Sequence, residues 1–118
     1  MEAPVVGDQI VIDTNSLSGQ TPVFYTMYRD GKRYDFFVQS VGGEFRSFID
    51  ACYRCAPEQK GFKVSGNRLR CRACDESFPF KNLEGIGSCY PVPLGGALKG
   101  SSYIINTEEL IRKTRFPL

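Results

Sequence analysis

Pro22-Val-Phe-Tyr-Thr-Met-Tyr-Arg29, then Asp30-Gly31, then Arg33-Tyr-Asp-Phe-Phe-Val-Gln-Ser-Val41 decide the fold class of this 118-residue chain. Both flanks are rich in aromatic and β-branched side chains, which suit a pleated, half-buried surface. The Asp-Gly between them is a strong hairpin signal, because a two-residue turn that matches strand twist needs positive φ at its centre. Gly42-Gly43 reads as the next turn. Glu44 to Asp50 (EFRSFID) alternates, with Phe45 and one of its neighbours expected to face the core. Upstream, Gln9 to Asp13 reads as a first strand and Asn15 to Gln20 as a Ser/Gly loop. Residues 8–50 are therefore expected to form an antiparallel β meander.

Downstream the texture changes, and residues 51–94 read as a small cysteine-bearing lobe. Phe62 to Val64, Arg68 to Cys71 and Ser77 to Phe80 read as brief strands, the first two joined by a turn at Ser65-Gly66-Asn67. Gly85 to Gly96 reads as a Gly/Pro loop. Residues 95–118 carry a closing strand, Ser102 to Ile105, and a short helix. Asn106 or Thr107 is expected to cap that helix, which continues through Leu110 and Lys113 with Glu108 and Glu109 in its favourable first turn. The whole reads as a single domain, 1–118, mainly β.

Composition is consistent with this. The apolar fraction is 42%, with nine Phe and six Tyr, enough for one hydrophobic core. The net charge of +2 is close to neutral and gives no global signal for nucleic acid or an anionic membrane. No run approaches the roughly 20 apolar residues of a membrane span. Met1-Glu2-Ala3-Pro4 lacks the basic start and apolar stretch of a signal peptide. The expectation is a cytosolic protein or a soluble piece of a longer one.

The chain has five cysteines and no histidine. Missing histidine removes Ser-His-Asp and Cys-His catalysis and any mixed Cys/His metal site. What remains is sulfur. Cys52-Tyr-Arg-Cys55 and Cys71-Arg-Ala-Cys74 are two C-x2-C knuckles separated by fifteen residues, a spacing typical of metal ribbons. Each such turn points two sulfurs to one side, and two turns facing each other make a tetrahedral pocket of four sulfurs. Soft thiolates select zinc, iron or an iron–sulfur cluster. The competing reading is a pair of disulfides, for example Cys52–Cys71, in an oxidising compartment. A thiol-disulfide enzyme is a further reading, since Arg54 or Arg72 inside the knuckles would lower a thiol pKa. Against it, the two pairs look alike and no helix start follows Cys52.

Cys89 stands apart in Gly87-Ser-Cys-Tyr-Pro-Val-Pro-Leu94. It reads either as a small buried apolar residue or as an extra ligand or reactive thiol at the rim of the centre.

Charge gathers around the knuckles. From Cys52 to Lys81 there are seven basic residues, Arg54, Arg70 and Arg72 among them, and three acidic ones. Four thiolates around Zn2+, or around an oxidised [2Fe-2S] centre, carry a charge of about −2, which such cations offset. An ordinary solvated face is the plain alternative. Nucleic acid is not the expected partner, although some zinc ribbons bind it.

Several stretches together resemble the membrane iron–sulfur, FtrD-like family. These are Asp50-Ala-Cys-Tyr-Arg-Cys55, Lys60-Gly-Phe62, Leu69-Arg-Cys-Arg-Ala-Cys74, Phe78 and Ser88-Cys-Tyr-Pro-Val-Pro-Leu94. Tyr28-Arg-Asp-Gly-Lys and Tyr34-Asp-Phe-Phe-Val also fit. The resemblance runs from about Gln9 to Ile105. It departs at Ser88, where relatives often have Gly. It implies a bacterial iron-uptake context and a domain cut from a longer membrane protein, lying outside its hydrophobic segments. It maps the family cysteines onto Cys52, Cys55, Cys71, Cys74 and Cys89.

A looser similarity is to Rieske-type domains, whose two knuckles are followed by a Pro-rich loop. Those use C-x-H and C-x2-H, so a cluster held by two cysteines and two histidines is excluded here. The similarity implies a Rieske-like antiparallel β architecture with a small rubredoxin- or zinc-ribbon-like cysteine lobe, and one sulfur from each knuckle on each iron of a [2Fe-2S] centre.

The resulting expectation is an extracytoplasmic four-cysteine domain, periplasmic or at the cell surface, tethered to the membrane. It would hold a [2Fe-2S] cluster or a single iron through Cys52, Cys55, Cys71 and Cys74, with electron transfer rather than catalysis as its candidate role. Its partner would be the membrane-embedded part of the same protein, an iron permease or a redox protein. The alternative is a structural zinc ribbon used for docking.

Overall fold

The computed structural model describes residues 1–17, 20–52, 61–72, 76–83 and 90–115. Its strands are β1 (Val5–Val6), β2 (Gln9–Asp13), β3 (Val23–Arg29), β4 (Lys32–Val41), β5 (Glu44–Cys52), β6 (Phe62–Ser65), β7 (Arg68–Cys71), β8 (Ser77–Pro79), β9 (Pro91–Leu94), β10 (Ala97–Lys99) and β11 (Ser102–Asn106). A helix, α1, spans Thr107–Arg115. The described residues form three sheets, ordered β3-β4-β5-β9, β1-β2-β11-β10 and β6-β7-β8. All the ladders between these strands are antiparallel.

The β3–β4 hairpin turns where the Asp-Gly signal stands. Arg29 pairs with Lys32, and the two residues between them, Asp30 and Gly31, have φ of 54° and 75°. Positive φ at both central positions is the type I′ requirement. The β4–β5 hairpin closes in the same way through Gly42 and Gly43, with Val41 opposite Glu44.

The sheet β3-β4-β5-β9 is the middle layer and is covered on both faces. This explains why Tyr34-Asp-Phe-Phe-Val38 is aromatic almost without interruption rather than alternating with polar residues. On one face Tyr25, Met27, Tyr34, Phe36, Val38, Ile49, Ala51, Val92 and Leu94 join Ile10 and Ile12 of β2, Tyr103 and Ile105 of β11, and Leu110 of α1. On the other face Phe37, Phe48 and Cys52 join Phe62, Leu69, Cys71, Phe78, Phe80 and Leu83. Successive strand residues point to opposite faces, so Phe36 and Phe37 serve different cores.

Two features differ from the sequence reading. Residues 8–50 do not form one meander: β3 to β5 do, but β2 leaves them and pairs with β11, with Ile10 opposite Ile105. Its buried face therefore closes the second sheet over the first. Pro91–Leu94, read as part of a loop, is strand β9. Two prolines argue against a central strand, but β9 lies at the edge of its sheet, where proline is tolerated. The closing strand and the helix stand where expected. Asn106 is the cap, its Oδ1 accepting the Glu109 N–H at 3.1 Å.

The buried polar side chain of Gln39 joins the central sheet to the lobe. The Gln39 Nε2 group donates to the Gln20 carbonyl at 3.0 Å and to the Phe80 carbonyl at 3.1 Å. It ties the central sheet to the end of the cysteine lobe.

Candidate metal centre

Cys52 ends β5 and Cys71 ends β7. Both side chains are buried, at 1% and 2% exposure, and neither is disulfide-bonded. Their Sγ atoms are 3.7 Å apart. That is far beyond a sulfur–sulfur bond of about 2.05 Å. It matches the edge of a tetrahedron of thiolates around one metal: with bonds of about 2.3 Å the sulfurs stand about 3.8 Å apart. The donor set and its spacing therefore fit one ion shared by the first cysteine of each knuckle.

Local structure makes this meeting possible. Cys52 pairs with Pro91, whereas Phe48 pairs with Pro93, so β5 carries extra residues between these rungs. Such a bulge re-aims the strand end, as bulges beside functional sites do. Cys71 pairs with Phe62 across β6–β7. It shares a face with Leu69, which is fully buried. Around the two sulfurs the rings of Phe37, Phe48 and Phe62 make a dry wall, with Phe37 centred 5.3 Å from Phe48 and 6.0 Å from Phe62. The Phe78 and Tyr90 rings stack with centroids 4.2 Å apart, joining β8 to the residue that precedes β9.

Of the other residues singled out in the sequence, Cys55, Cys74, Cys89 and Arg54 lie outside the described residues. Arg70 is on β7 between Leu69 and Cys71, so strand alternation sends its side chain to the opposite face from the Cys71 sulfur. Arg72 follows Cys71 directly. Its backbone N–H donates to the Gly61 carbonyl at 3.0 Å and its Nε to the Phe62 carbonyl at 3.4 Å.

Asp50 belongs to the first knuckle motif, yet the sequence pattern assigns it no role. It stands two residues before Cys52, and its Oδ1 accepts the Phe62 N–H at 2.7 Å. Burial pushes its carboxyl up to about 6, Asp35 adds to the rise, and the Phe62 N–H, Arg72 and Arg33 pull the other way. The signal in the sequence is an acid directly before an otherwise apolar strand end.

The family comparison bears on the identity of this centre. The model for "Membrane iron-sulfur containing protein FtrD-like" matches residues 17–116. The chain belongs to the FtrD-like family.

The FtrD-like domain also has a structural neighbour. It is similar to a chain of the carbazole-bound oxygenase and ferredoxin complex of carbazole 1,9a-dioxygenase, at a TM-score of 0.51 and 11% identity. The match covers 84% of the FtrD-like domain and 28% of that chain. At this identity the likeness is one of fold, and the fold is Rieske-like. No curated protein matches the chain. Among the described residues, no helix is long and apolar enough to cross a membrane.

Proposed function

We propose that this FtrD-like domain is an electron-transfer domain with an iron–sulfur centre on four cysteines, held outside the cytoplasm by the membrane part of a bacterial iron-uptake protein. The observation that carries the reading is the 3.7 Å separation of the Cys52 and Cys71 sulfurs at the ends of strands from two different sheets. Such a pair suits one iron of a [2Fe-2S] centre, with Cys55 and Cys74 holding the other. An iron–sulfur cluster of this class supplies one-electron oxidation and reduction.

The protein's own part is to hold and shield. Phe37, Phe48, Phe62 and Leu69 exclude water from the two sulfurs and lower the local dielectric. Low dielectric penalises additional negative charge, while the cations of the lobe, Arg72 among them, offset it, so the two act in opposite directions on the potential. Pro91 stands opposite Cys52 on the edge strand β9. The partner is the membrane-embedded part of the same protein or an iron permease or redox protein that docks beside it.

The same 3.7 Å spacing also fits a single zinc ion. That alternative makes the domain a structural docking module. Metal and labile-sulfide analysis with a visible spectrum, on protein purified without oxygen, separates the two. Two irons and two sulfides per chain with a bleachable visible band support the redox reading, as all-thiolate clusters of about that content absorb and accept electrons. A colourless protein with one zinc supports the ribbon.

A further inference from the structure

We propose that Asp50 is a positioning residue: it locks the cysteine lobe to the central sheet and so holds Cys52 and Cys71 at metal-binding separation. The inference rests on the four-cysteine metal reading above and adds a residue that lies outside the thiol set.

Among the described residues, the two sulfurs come from strands whose sheets share no ladder, so the described backbone pairing alone does not set their distance. Asp50 supplies a tie beside the two cysteines. It stands on β5 inside the shifted stretch between the Phe48–Pro93 and Cys52–Pro91 rungs. Its Oδ1 accepts the Phe62 N–H at 2.7 Å, and Phe62 is the register partner of Cys71. From Cys52 to Cys71 the path is therefore two residues of β5, one side-chain-to-backbone hydrogen bond and one β rung.

The lobe is shaped to receive this carboxylate. Gly61 has a φ of 75°, and a Cβ there would come within 3.1 Å of both Asp50 carboxylate oxygens. Only glycine serves both demands, a left-handed backbone and an open approach for the acid. From the other side Arg72 holds the same peptide segment through the Gly61 and Phe62 carbonyls. Gly61-Phe62 is thus gripped between Asp50, two residues before Cys52, and Arg72, one residue after Cys71.

The test compares Asp50→Ala, Asp50→Asn and Gly61→Ala with the wild-type chain, all purified without oxygen. Metal retention against a chelator and the visible circular dichroism of the centre are read. Asp50→Ala is expected to weaken retention by about 10–100-fold, the usual effect of losing a support behind metal ligands, and to change the dichroism. Asp50→Asn keeps a carbonyl acceptor and is expected to retain most of the metal with a near wild-type spectrum. Gly61→Ala drives a methyl into the carboxylate and is expected to behave like Asp50→Ala.

Wild-type retention and spectrum in Asp50→Ala would overturn the proposal. So would equal loss in Asp50→Asn and Asp50→Ala, which would assign the effect to charge rather than to the hydrogen bond. Amide exchange at Phe62 gives a readout independent of metal. Protection in the wild type that is lost in Asp50→Ala and kept in Asp50→Asn supports the lock even if the four-cysteine reading fails. Fast exchange in the wild type removes the lock whatever the metal content.

Discussion

The Cys52 and Cys71 sulfurs meet at 3.7 Å although the residues are nineteen apart in sequence and stand in different sheets. Cys52 closes the last strand of the central hairpins, and Cys71 closes the second strand of the lobe. Each cysteine is the last residue of its strand, so neither thiol stands on an interior rung. The meeting joins the lobe to the body of the domain.

If the two sulfurs serve one metal, their losses are not independent. Cys52→Ser and Cys71→Ser should each remove most of the bound metal, and the double variant should lose no more than either single one. Residues acting through one shared partner couple strongly, by about 0.5–3 kcal/mol or more. Metal content of the three proteins checks this. A single variant that keeps wild-type metal content would remove that cysteine from the shared site.

The aromatic wall should contribute in proportion to its burial. Phe37 is fully buried and touches the Phe24, Phe48 and Phe62 rings. Phe37→Ala should cost about 3–5 kcal/mol in denaturant unfolding. Tyr28, 59% exposed on the neighbouring strand, provides the contrast: Tyr28→Ala should stay within about 0.5 kcal/mol.

Gln39 provides a second polar link between the lobe and the sheet, at the far end of the lobe from Asp50. Its amide donates to the Gln20 and Phe80 carbonyls, while its own Oε1 has no partner among the described residues. Gln39→Leu keeps the bulk and removes both donors. Leaving the carbonyls unpaired should destabilise by about 1–3 kcal/mol, read as a lower denaturant midpoint with an unchanged slope. An unchanged midpoint would mean that the orphaned Oε1 already offsets what the two bonds contribute.

Tyr103 should give the domain an alkaline sensitivity. Ser47 Oγ donates its proton to the Leu94 carbonyl and so must accept from the Tyr103 hydroxyl, 2.8 Å away. Burial raises the Tyr103 pKa, and the Glu109 carboxylate adds to the rise. The folded state thus keeps this proton where the unfolded chain, at about pH 10, gives it up. The contribution is present below that pH and is lost as pH rises through and beyond it. Stability of the wild type should fall more steeply above about pH 10 than that of Tyr103→Phe, as followed by thermal unfolding across the alkaline range.

Much of this is legible in the sequence because local chemistry decides it. Asp30-Gly31 and Gly42-Gly43 specify their hairpins through positive φ, and Asn106 specifies a helix start through one side-chain acceptor. The pairing of β2 with β11 is not legible. It depends on which distant strand covers the apolar face of Ile10 and Ile12, and the sequence pattern shows the face without its partner. Strand β9 is hidden by Pro91 and Pro93, because proline reads as a loop until the strand is known to be an edge. At the centre, the cysteine spacing names the thiols, and the register between lobe and sheet brings Cys52 and Cys71 together. Asp50 and Gly61 are visible as letters, but their meeting depends on a bulge in β5 that no local pattern announces.

The most direct test of the central claim is X-ray absorption at the iron edge on wild-type protein purified without oxygen. The account predicts an all-sulfur first shell, at about the thiolate distance expected for such sites, and a second iron as near neighbour. Absence of iron, or oxygen or nitrogen in the first shell, would contradict it.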